Sequence, residues 1–162
     1  MVMHRSILPL VGAALLLGVA NPRPSEASEF FASSLRGNVA NQVISGFPSS
    51  RATWDLTRGS VTVVPFGSEL GVIAVRTRGL IIPAIGFNPS PDLLARLVCH
   101  DAAGAPFEAA RTRTVPFPRS GDATLIDVLP LPDDCFAPIV LLTGSSDPEG
   151  NQPGNFFGVS GF

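Results

Sequence analysis

Lysine and tyrosine are absent from this 162-residue chain, tryptophan occurs once, and cysteine, histidine and methionine occur twice each. Each scarcity removes a chemistry. Without lysine there is no Schiff-base nucleophile and no Ser-Lys dyad, and no phosphate cradle of the G-x-x-x-x-G-K type. One of the two histidines, His4, precedes an apolar N-terminal run, which leaves His100 alone in the body of the chain. A histidine-built zinc or blue-copper site needs more than one imidazole. All eleven basic residues are arginine, set against 13 acids for a net charge of −2. That balance lacks the basic excess that phosphate neutralisation requires, so nucleic acid is not an expected partner. With 45% hydrophobic residues, the composition is also outside the disordered class.

The N-terminus reads as an export signal. Arg5 and His4 start it, Ile7 to Ala20 is apolar with Leu15-Leu16-Leu17 at its centre, and small-residue sites follow at Gly18-Val19-Ala20 and Ser25-Glu26-Ala27. The run is short for a membrane span, which takes about 20 apolar residues. Cleavage after Ala27 is the preferred site, with Ala20 as the alternative. It removes Arg5, Arg23 and Glu26, moving the net charge from −2 to −3. The expected destination is extracellular, or periplasmic in a host with an outer membrane, with no transmembrane segment left after cleavage.

Cys99 and Cys135 survive cleavage. Two cysteines in an exported domain point to one disulfide, the alternative being two separate buried thiols. A bridge over this span contributes roughly 3–4 kcal/mol on the chain-entropy model.

Residues 28–51 read as a flexible or irregular lead with no clean period. From residue 52 onward, short apolar runs alternate with Gly, Pro, Asn and Asp, the pattern of an all-β domain. The runs are 53–57, 60–64, 70–77, 93–100, 107–115, 123–129, 139–143 and 156–160, giving seven or eight strands. Ile73, Val75 and Thr77 share one face of their run, with Arg76 and Arg78 on the other. Leu93, Ala95, Leu97 and Cys99 likewise oppose Arg96, Val98 and His100, and Arg111 and Arg113 share an outward face. Such alternation describes half-buried antiparallel strands. The expected fold is a single antiparallel β-sandwich of immunoglobulin-like size over 52–162. The Cys-Trp-Cys order of true immunoglobulin domains is missing, since Trp54 precedes both cysteines.

Several runs recur together: Gly-Phe-Asn-Pro-Ser-Pro (86–91), Arg-Leu-Val-Cys (96–99), Gly-Asp-Ala (121–123), Leu-Pro-Asp-Asp-Cys-Phe-Ala-Pro-Ile-Val (131–140) and Phe-Phe-Gly-Val-Ser-Gly-Phe (156–162). In this order and spacing they resemble a group of small secreted bacterial proteins common in actinobacteria, over roughly Leu56 to Phe162. The resemblance implies an exported β-sandwich with one disulfide, and it brings no catalytic residues with it. A more distant likeness to the chordin-type repeat rests on turns such as Gly79-Leu80 and lacks that repeat's paired histidines.

Candidate chemistry is sparse. A Ser-His-Asp triad could take His100 as base and Asp101, Asp122 or Asp127 as its orienter, but no Gly-x-Ser-x-Gly elbow supplies the nucleophile. Asp133 and Asp134 are paired carboxylates beside Cys135, and adjacent acids in a proline-bounded loop are ordinary turn residues. Asp147, Glu149 and Asn151 have the spacing of early calcium-loop ligands. No bidentate acid completes that set, and the same residues suit a hairpin turn. No cofactor is expected. The favoured function is a non-catalytic extracellular or envelope-associated interaction module, contacting a protein or envelope component through Phe87, Phe117 and Phe136 in proline-rich loops. The alternative is a secreted hydrolase using the loop carboxylates or His100.

Overall fold

A computed structural model describes residues 31–146 and 152–160. The export signal at 1–27 and the calcium-spaced residues Asp147, Glu149 and Asn151 lie outside the described residues. Those described are all-β, with no helix among them. The strands are β1 (Phe31–Gly37), β2 (Val43–Ile44), β3 (Phe47–Pro48), β4 (Asp55–Phe66), β5 (Leu70–Ile81), β6 (Asp92–His100), β7 (Pro106–Arg111), β8 (Val115–Pro116), β9 (Ala123–Pro130), β10 (Phe136–Ser145) and β11 (Pro153–Ser160).

The large sheet runs β7-β6-β10-β11-β1-β4-β5-β9, antiparallel throughout, with β8 added to β6. It behaves as two half-sheets hinged on β1. Phe31 to Ser34 pair with β4, and Leu35 to Gly37 pair with β11. The halves face one another across a single core. Val61, Val63, Ile73, Val75, Leu125 and Leu129 come from β4, β5 and β9, and Leu93, Leu97, Val140, Leu142 and Phe157 from the opposite half. Trp54 stacks on Phe157 with centroids 4.5 Å apart, and Phe117 adds a third ring at 5.9 Å.

The segment 28–51, expected as a flexible or irregular lead, supplies β1 at the centre of the sheet and a small β2–β3 hairpin. Ser45 and Gly46 both have positive φ, 48° and 80°, the conformation of a two-residue type I′ turn. This hairpin lies on the outer face of the β6–β10–β11 half. There Ile44 and Phe47 cover Val98, Leu141, Phe156 and Val159, and Ser50 donates its backbone N–H to the Phe156 carbonyl at 2.7 Å. Arg96 fixes the cover in place. Its guanidinium lies 4.4 Å from the Phe47 ring centroid and is bonded to Glu108, which also takes Arg111 at 2.8 Å. Val98, expected on a solvent face, is therefore fully buried.

The runs 53–57 and 60–64 join in one strand, β4, which begins only at Asp55. Gly59 between them is no turn: a Cβ there would lie 2.6 Å from a Leu56 methyl and 2.8 Å from the Leu35 Cβ. The glycine makes room for Leu35 to sit against the sheet. Run 107–115 divides into β7 and β8, and β10 passes Pro138 through a register shift between Phe136 and Ile139, the place where a sheet tolerates proline.

Gly37 sits where β1 ends, and a Cβ there would come within 1.8 Å of the Trp54 carbonyl oxygen. That neighbour is backbone in an aromatic core and has little room to retreat. Gly37→Ala is expected to destabilise the domain by at least about 2–3 kcal/mol, read by chemical denaturation. A loss below about 0.5 kcal/mol would show that β1 is not pinned there.

Candidate functional site

The disulfide end of the sandwich holds most of the residues the sequence marks as reactive. Cys99, buried at the end of β6, is bonded to Cys135 in the loop before β10, with Cα atoms 4.9 Å apart. The bridge joins neighbours of one half-sheet, because β6 and β10 pair directly. His100 follows Cys99 and pairs with Phe136 across the same ladder. Together with Asp101, Ala102, Gly104 and Ala137 they line a shallow depression of about 480 Å³.

His100 Nε2 lies 3.2 Å from the Ser45 Oγ, a residue the sequence reading passed over. The Ser45-Gly46 dipeptide between Val43-Ile44 and Phe47 was the available signal for it, as a hairpin turn. Nδ1 of the same ring is buried with no hydrogen-bond partner among the described residues, so no acid there orients the imidazole as the base of a triad. The three acids considered as orienters are engaged elsewhere. Asp101 accepts from the Ala103 and Ala105 amides at 2.9 and 2.8 Å. Asp122 takes the Gly79 amide at 2.8 Å, and Asp127 binds Arg113. Asp133 and Asp134 are exposed. No group of three or more His, Cys, Asp or Glu side chains that could hold a metal occurs among the described residues.

The three phenylalanines expected to form one contact surface are dispersed. Phe136 is 52% exposed. Phe87 is half-buried, with the Arg119 guanidinium 3.8 Å over its ring. Phe117 is 4% exposed and belongs to the core. Its burial follows from Asn88, whose side-chain amide donates to the carbonyls of Ser90, Phe117 and Pro118 at 3.0–3.1 Å and draws that loop inward. The Gly-Phe-Asn-Pro-Ser-Pro run thus has a structural use.

A larger surface lies on the outer face of β4, β5 and β9. Registers place three rows of three residues side by side: Thr62, Ala74 and Ile126; Val64, Val72 and Val128; Phe66, Leu70 and Pro130. Phe66 (66%), Ile126 (62%) and Val128 (53%) stand well out into solvent. The next rows along the same face are Ser60, Arg76 and Thr124, then Arg58 beside Arg78. These three arginines are exposed. Arg78 has Asp122 at 3.8 Å, both well exposed, so that contact contributes little. Outward Arg76 and Arg78 were legible from alternation in 70–77. The same parity puts Val72 and Ala74 outward, which is the signal that would have found this face.

β9 and β7 end the sheet path, and Arg113 closes the seam between them. Its backbone N–H donates to Asp127 Oδ2 at 2.8 Å and its guanidinium reaches Oδ1 at 3.2 Å. Burial acts to raise the Asp127 pKa, but the bonds from Arg113 and from the Val128 amide outweigh it, and the carboxyl is held below its usual 3.8. A lowered folded-state pKa contributes stability above the unfolded-state value, which is lost as pH falls through the folded one. Asp127→Asn is expected to cost about 1 kcal/mol at neutral pH. The gap from wild type should narrow below about pH 4; a gap that stays constant from pH 7 to pH 2 would remove the ion pair from the account.

No family model, curated protein or solved structure matches this chain.

Proposed function

We propose that this chain is an exported, non-catalytic interaction module that meets its partner through the uncovered outer face of β4, β5 and β9. One observation carries the reading. The two half-sheets have apolar outer faces, and among the described residues a hairpin covers one of them. On the other, the described residues leave Phe66, Leu70, Ile126 and Val128 exposed, with Val64 and Val72 half-buried between them, and contiguous exposure of that kind marks contact surfaces. The disulfide is consistent with an oxidising destination, and among the described residues no helix is long and apolar enough to cross a membrane. The alternative, a hydrolase using His100 or the loop carboxylates, is disfavoured by the lack, among the described residues, of any acid bonded to His100.

Two measurements test the reading. Ile126→Thr with Val128→Thr keeps the β-branched shape while removing apolar surface. This double variant should change stability by no more than about 0.5 kcal/mol; a loss above about 2 kcal/mol would mean the rows are packed core. Purified protein offered generic ester, peptide and glycoside substrates should show no turnover above that of Ser45→Ala and His100→Ala. Hydrolysis abolished by either substitution would overturn the proposal in favour of the enzyme.

A further inference from the structure

The geometry points to an anionic lipid bilayer as the partner of the β4–β5–β9 face, an inference that rests on the interaction-module reading above. The face is divided along its strands. One half holds the three rows ending at Phe66, Leu70 and Pro130, apolar but for Thr62, and the other carries Arg58, Arg76 and Arg78, with Asp122 3.8 Å from Arg78. A chain with net charge −2 thereby presents exposed cations directly beside an apolar surface that no described residue covers. Glu69 is exposed in the turn between β4 and β5, at the end of the face away from the arginines.

A second copy of the chain suits this face poorly. Stacked with strands parallel, two copies would set arginine against arginine. Stacked antiparallel, each arginine group would lie over the partner's Phe66–Leu70–Pro130 row, desolvated and without a counter-charge. A bilayer serves both halves at once. Apolar rows settle at the boundary between headgroups and acyl chains. Arginine side chains are long enough to lay their stems on the apolar surface while their guanidinium groups reach outward, and they bind phosphate through paired N–H donors.

The test uses the full chain carrying Ile126→Trp, with vesicles of mixed phosphatidylglycerol and phosphatidylcholine containing brominated acyl chains. The native indole, Trp54, is 5% exposed in the core, and residues 1–30 contain no tryptophan. Quenching of the added indole therefore reports on this face and not on attachment by the N-terminal run. Emission from the added indole should shift to the blue and be quenched by the brominated anionic vesicles, while Trp54 in the wild type is not. Arg58→Gln with Arg76→Gln should weaken vesicle partitioning about 10- to 30-fold and remove the preference for phosphatidylglycerol over pure phosphatidylcholine vesicles. Chains that bind vesicles with the added indole unquenched, or that do not bind, would overturn the bilayer as partner. So would a lipid-free dimer in which that indole is already buried. Each of these outcomes leaves the interaction-module reading standing, whereas turnover lost in Ser45→Ala or His100→Ala removes that reading itself.

Discussion

β1 makes hydrogen bonds to two different half-sheets within seven residues, and the rest of the architecture depends on that double pairing. Up to Ser34 it belongs with β4, and from Leu35 it belongs with β11. A strand that changes partners must bring its backbone close to both. The close approach is paid for with side chains: Gly59 clears space under Leu35, and Gly37 lets the chain pass against the Trp54 carbonyl. With β1 seated, the half-sheets are held face to face and their apolar sides form one core. Arg113 and Asp127 close the opposite seam with charge-assisted bonds, which are stronger than neutral ones.

The two outer faces then meet different fates. Both are apolar in part, with Val98 and Leu141 on one and Val64, Val72 and Val128 on the other. The β6–β10–β11 half receives the β2–β3 hairpin, clamped by Arg96 between Phe47 and Glu108. The β4–β5–β9 half receives nothing from the described residues. This asymmetry, more than any cluster of reactive groups, separates one surface from the rest. At the disulfide end, by contrast, polar groups sit close together: Ser45 meets His100, and Nδ1 of that imidazole has no partner among the described residues.

Much of the fold was legible because β structure leaves a local imprint. Period-two alternation in 70–77 and 93–100 located β5 and β6, and the inward residues named there are all buried, Thr77 included. What escaped was non-local. Val98 is covered by a hairpin that joins it from fifty residues upstream, and Phe117 is buried because Asn88 holds its loop by three carbonyls. Gly59 carries the same letter as a turn glycine, and only the Leu35 Cβ above it shows that it lies mid-strand. The candidate surface was half legible. The outward arginines were read from parity, while the apolar rows needed the registers that set Val64, Val72 and Val128 side by side.

The sequence by itself determined the class of the fold and the scarcity of certain reactive side chains, since alternation, turn residues, the absence of lysine and the shortage of histidine are properties of short windows and of composition. Only the tertiary structure decided which apolar side chains are core, which are covered and which are left bare. Burial depends on what another part of the chain lays over a residue, and the residue's own neighbours in sequence carry no record of that.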